Sequence, residues 1–200
     1  MGLGIEVVIV DWPRVEATAP GDREDLLIDA TFGEVFETGD PHEHGWYWPT
    51  GPGEDWYGRY AFRHGMGSFT PHFLVGHRWD HLRGFIAPEL RDPLDRFNDV
   101  LFWHALEDLT GEGAGLPERP CTWDAALLLW LPPDLAPVVA GWWQRVSPRL
   151  AELREPFDRH AAEPGSEVGG FERWTELLTD WGRVVTEAQR RGWGVVGLRC

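Results

Sequence analysis

Residues 171–198 read FERWTELLTDWGRVVTEAQRRGWGVVGL, and the plan of the fold is written there. Phe171, Trp174, Leu177, Leu178, Trp181, Val184, Val185 and Ala188 recur every three or four positions, which predicts a helix over 171–190 with one wide apolar stripe against a core. Arg190-Arg191-Gly192 closes it: cations suit the negative end of the helix dipole, and glycine accepts the left-handed C-cap. Trp193 to Leu198 then reads as a strand. At the other end of the chain, Leu3 to Val10 is β-branched and almost continuously apolar, the pattern of a central strand covered on both faces. Two terminal strands with helical segments between them predict an α+β fold. We expect a predominantly helical single domain over residues 1–200, with a small sheet joining the N- and C-terminal strands. A chain of 200 residues fits one domain of about 100–200 residues. It can bury roughly 70% of its unfolded surface without help from disulfides or metal.

The interior of the chain is read from periodicity and helix-start signals. Residues 22–30 predict a short helix with acids in its first turn. Residues 38–55, rich in Gly, Pro and acids, predict a long loop, a length that in a compact domain usually serves function. Trp56 to His64 alternates as a strand, with Trp56, Tyr60, Phe62 and His64 on one face and Tyr57, Arg59, Ala61 and Arg63 on the other. Thr70-Pro71 predicts a helix over 71–86 that buries Val75, Trp79, Leu82 and Ile86. Asp92-Pro93 repeats that signal for a helix over 93–109, with Leu94, Phe97 and Leu101 inward. Residues 122–131 and 134–146 read as two helices divided by Pro132-Pro133, and Ser147-Pro148 starts another to about His160.

Composition narrows the function classes. The net charge of −15 argues against partners that select basic patches, namely nucleic acid and anionic membrane surfaces. All 18 basic side chains counted as Lys or Arg are arginines, so no lysine is available for a Schiff base, which excludes pyridoxal phosphate enzymes and lysine aldolases. The start of the chain does not read as a signal peptide, and no apolar run of about 20 residues spans a membrane. Two cysteines, Cys121 and Cys200, make neither a disulfide framework nor a zinc site, so a cytoplasmic location is expected. No phosphate-binding glycine loop and no nucleophile elbow occurs, and no cofactor is expected.

The residues able to do chemistry cluster. All three tyrosines lie within 47–60 beside Trp46, Trp48 and Trp56, and six of the eight histidines fall between 42 and 81. Tyr, His and Arg move protons and hold oxyanions near neutral pH, while indoles wall an apolar ligand. This predicts a small cofactor-independent enzyme of lyase, isomerase or cyclase type, acting on a largely apolar small molecule with an anionic or enolic head. In that reading His64 or His72 is the acid/base, Tyr57 or Tyr60 assists, and Arg59 or Arg63 holds the oxyanion. Trp46, Trp48 and Trp56 wall the substrate, and loop 38–55 is a lid. The bland alternative is aromatic packing with scattered surface histidines, and with Arg59 and Arg63 paired to the acidic front segment.

Other readings compete. Residues 1–55 hold 13 acids against two arginines, which suits an acidic interaction module such as an inhibitor or immunity-type partner. His77 and His81, one helical turn apart and opposite the Val75/Trp79/Leu82 stripe, could meet one metal ion with His42, His44 or His72 as a third ligand. Arg78 stands where a zincin needs glutamate, and the acid a cupin motif needs after His42-Glu43-His44 is missing. His104 lies on the apolar face of its helix, where it lines the substrate site or is a core histidine satisfied by a carbonyl. Nothing in the sequence specifies an oligomeric state.

Overall fold

A computed structural model describes residues 4–32, 44–53, 55–63, 68–102 and 127–199. The terminal strands are neighbours. β1 (Ile5–Val10) lies at the centre of a five-stranded antiparallel sheet ordered β2-β3-β1-β5-β4, with β2 Gly45–Tyr47, β3 Tyr57–Ala61, β4 Leu127–Leu131 and β5 Gly194–Arg199. Val7 sits opposite Tyr60 on one side and Gly197 on the other, and Trp46 sits opposite Tyr60. Residues opposite one another share a face. Trp46, Tyr60, Val7, Ile9 and Val195 therefore point one way, and Tyr47, Tyr57, Arg59, Glu6, Val8 and Val196 point the other.

Both faces are covered, which is why β1 is apolar at five of its six positions. Helices α1 (Trp12–Ala17) and α2 (Arg23–Phe32) close one face, with the Trp12 ring where a side chain at Gly194 would stand. The other face receives the long helix Phe171–Arg191, here α7, whose eight predicted stripe residues are all buried. Gly192 caps it at φ 67°, as the sequence requires. The remaining helical segments are α3 (Thr70–Leu82), a 3-10 turn (Arg83–Phe85), α4 (Pro88–Phe102), α5 (Ala136–Val146), a 3-10 segment (Ser147–Leu153) and α6 (Arg154–His160); α3, α5, α6 and the 3-10 segment pack against α7, and α4 packs against α3 and α5. Among the described residues no helix is long and apolar enough to cross a membrane.

Several expectations are corrected. The Leu127–Leu131 run is a strand, not part of a helix over 122–131. Five continuous apolar residues carry no period, and only pairing with β5 decides the matter. Gly45–Tyr47 is a strand inside the expected loop 38–55, formed because β3 offers it an edge. The strand over 56–64 ends at Ala61. Helix α4 starts at Pro88, not at Pro93, which stands inside it. Pro88 takes the first helical position with Glu89 in the first turn, and Pro93, in the second turn, gives up a backbone hydrogen bond and crowds the carbonyl four residues before it. The N-cap of α3 is Phe69, not Thr70, and the Thr70 N–H donates to Ser68 Oγ at 3.2 Å. The expected helix from Ser147 to His160 is divided into a 3-10 and an α segment.

One close approach gives a stability test. A Cβ at Gly182 of α7 would overlap the indole of Trp143 on α5, and both residues are buried. Propensity alone would make Gly182→Ala stabilising by about 1 kcal/mol. Overpacking reverses the sign, and we expect a net loss of about 1–2 kcal/mol in urea unfolding. A gain would show that Trp143 can move aside.

Candidate functional site

The site is built where β3 ends against α7. Asp180 belongs to the α7 helix, at the edge of its apolar stripe, and is 1% exposed. A buried carboxylate must be paired and hydrogen-bonded to be tolerated. Tyr60 Oη–H donates to Asp180 Oδ1 at 2.9 Å, the Arg63 backbone N–H donates to Oδ2 at 2.9 Å, and Arg183 Nη1 donates to Oδ1 at 2.9 Å. Arg183 Nη1 also lies 3.4 Å from Tyr60 Oη. Burial pushes the Tyr60 phenol up to about 12; the Arg183 hydrogen bond opposes the rise and Asp180 reinforces it. Tyr60 is therefore a protonated donor at neutral pH, and Asp180 is the group it serves.

Beside this network lies a cleft of about 240 Å³, below the roughly 300–1,000 Å³ common for ligand pockets. One wall is apolar, made by Leu150 and Ala151 of the 3-10 segment and Phe171 at the start of α7. Arg63, Glu176, Asp180 and Arg183 supply the charged side. Arg63 Nη1 stands 3.9 Å from Glu176 Oε1, and the Arg63 Nε–H is buried with no hydrogen-bond partner among the described residues. Thr175 and Thr179 also line the cleft, their hydroxyl protons turned to carbonyls of their own helix at 2.9 and 2.7 Å. Their oxygens keep lone pairs but offer no proton. The arrangement can grip an anion between two guanidiniums and lay its apolar part on Phe171 and Leu150.

The residues expected to form one pocket are distributed otherwise. Arg59 and Arg63 do not act as a pair. Arg59 stays on the opposite sheet face, 3.7 Å from Glu6 and 5.3 Å from the Tyr47 ring, whereas Arg63 lies past the end of β3 and turns to α7. Burial raises the Glu6 carboxyl above its ordinary value, with Arg59 offsetting part of the rise. Tyr57 is buried beside Trp56, ring centroids 4.7 Å apart, on the Arg59 face. Trp46 and Trp48 stack at 4.9 Å, Trp46 meets Tyr60 edge-on at 5.0 Å, and Arg191 lies 3.8 Å over Trp48. None of these three tryptophans lines the cleft.

His72 is buried rather than placed at the cleft. The Trp181 indole N–H donates to its Nδ1 at 3.0 Å, and Phe62 packs against it edge-on at 4.7 Å. Burial pushes its imidazole down to about 3, so it is neutral and accepts this hydrogen bond. Trp46, Tyr60, Phe62 and His72 do converge, as a continuous run of ring contacts. His64 and His104 lie outside the described residues, as does His42. His44 is exposed. Among the described residues no group of three or more His, Cys, Asp or Glu side chains is arranged to hold a metal ion.

Asp180, Glu176 and Arg183 were not among the expected site residues. The one signal was Asp180 itself, a lone acid flanking Leu177, Trp181 and Val184 on an otherwise apolar stripe. Comparisons with protein-family models, curated proteins and solved structures gave no match to this chain.

Proposed function

We propose that this protein is a small acid/base enzyme that acts on a largely apolar small molecule carrying one anionic or enolic head, without an organic cofactor. One observation carries the reading: Arg63 and Arg183 meet at a cleft whose far wall is apolar. Arg183 is oriented by Asp180 and Tyr60, so it is organised before a ligand arrives. Arg63, its side chain one-third exposed, brings a second guanidinium to the same cleft. Two such guanidiniums hold a carboxylate, and they hold more strongly the enolate that forms when a neighbouring carbon loses a proton.

Glu176 supplies the base. Its carboxylate lines the same cleft and is 37% exposed. It takes a proton from the carbon beside the head group and returns it elsewhere on the substrate, which is the elementary step of isomerisation, dehydration or ring closure. His72, held by Trp181 in the interior, has no part in it, and Tyr60 serves by fixing Asp180.

Phenylpyruvate is a suitable probe, being apolar, anionic and acidic at the carbon beside its carbonyl. We expect the protein to accelerate solvent deuterium exchange at that carbon, read by proton NMR. Glu176→Gln should retain binding and lose at least tenfold of the exchange rate. Arg63→Ala, which keeps the backbone N–H that Asp180 uses, should weaken binding at least tenfold, about 1.4 kcal/mol, and shift the melting temperature little. Equal affinity of phenylpyruvate for the Arg63→Ala protein would remove the cleft from consideration.

A further inference from the structure

The exposed side of α3 carries a feature that the cleft does not use. Phe73, His77 and His81 recur at four-residue spacing there, opposite the buried Val75, Trp79 and Leu82. Both imidazoles are exposed, and their ring centroids are 4.8 Å apart at an interplanar angle of 52°. Neither ring makes a hydrogen bond or an ion pair with a described residue, so their nitrogens are uncommitted. Phe73 stacks on His77 at 6.0 Å and limits its rotamers.

We propose that His77 and His81 form a two-histidine site for a borderline first-row divalent metal ion, with Cu²⁺ held most tightly. Histidines four apart on a helix reach the same point above it, and each can approach an ion at about 2.0–2.1 Å through one nitrogen. Chelation here requires little ordering. The helix is fixed from below by the burial of Val75, Trp79 and Leu82, and the Trp174 indole N–H donates to the Val75 carbonyl at 3.2 Å. The chain's net charge of −15 favours cations, and Asp80 stands in sequence between the two rings' turns, 4.0 Å from Arg83. Imidazole donors select Cu²⁺ over Ni²⁺ and Zn²⁺ by intrinsic affinity and disfavour Mg²⁺ and Ca²⁺. Two protein ligands leave the remaining positions to water, so the bound ion stays open to an exogenous ligand.

The test is calorimetric titration of the full chain with Cu²⁺ alone in a non-chelating buffer, accompanied by electron paramagnetic resonance. The chain has other histidines, so stoichiometry alone does not assign the site. We expect one tight equivalent of Cu²⁺ with a spectrum showing two nitrogen ligands. His77→Ala and His81→Ala should each weaken that equivalent at least tenfold and change the spectrum. The circular dichroism and melting temperature of the metal-free variants should match the parent, because both side chains are in solvent. The proposal fails if the parent shows no sub-millimolar Cu²⁺ binding. It fails also if only one of the two substitutions matters, or if the double variant binds as tightly as the parent.

Discussion

Asp180→Ala should destabilise the protein by about 3 kcal/mol and lower its melting temperature by about 6–12 °C. The loss comes from the groups left behind. Tyr60 is 2% exposed and loses the acceptor of its hydroxyl, and the part-buried Arg63 amide loses its own. An unsatisfied buried donor costs about 1–3 kcal/mol. The Arg183 side chain is 47% exposed, so water replaces the carboxylate there at little cost. Tyr60→Phe alone should cost about 1–2 kcal/mol. In the double variant the two losses should fall short of additive, because the hydroxyl and carboxylate satisfy each other. Equilibrium urea unfolding of the four proteins closes the cycle. Full additivity would mean that Tyr60 and Asp180 do not interact in the folded state.

Acid should unfold the protein partly through His72. Its folded pKa of about 3 lies below the ordinary value of 6.5, so between these limits the unfolded chain binds the proton more readily. The neutral ring's contribution is complete above pH 6.5 and drains away as pH falls towards 3. Between pH 7 and pH 4 this amounts to about 3 kcal/mol at 1.36 kcal/mol per unit. His72→Gln keeps an acceptor for the Trp181 indole N–H and has no proton to gain in this range. Carboxylates elsewhere destabilise both proteins alike, so the difference between their stability–pH curves isolates the imidazole. Parallel curves from pH 7 to pH 4 would show that His72 protonates in the folded protein without penalty.

These two expectations rest on groups that differ in how far they could be read from the chain. Tyr60 stood out as a polar aromatic on an alternating strand, and His72 as one of a run of histidines. Their roles did not stand out. A histidine beside the Pro71 helix start looks the same whether it faces solvent or Trp181, and 109 residues separate that pair. Strand alternation groups Arg63 with Arg59, but β3 ends at Ala61 and the period stops carrying Arg63 with it. Glu176 and Arg183 fall outside the apolar stripe of their helix, and nothing in the sequence singles them out. Only the packing of β3 and the Ser147–Leu153 segment against that face turns it into a wall.

The α+β class, the helix over 171–190 with its glycine cap, and the central, twice-covered first strand follow from local periodicity, because a stripe of apolar side chains has one way to leave water. Strand order, the strand character of Leu127–Leu131, and the meeting of Tyr60, Arg63 and Arg183 around one carboxylate do not. They depend on backbone pairing and side-chain contacts between segments that no local period links, such as Leu131 with Val195 and Tyr60 with Asp180. Such contacts acquire their energy only when the chain is already folded and water is excluded from between them.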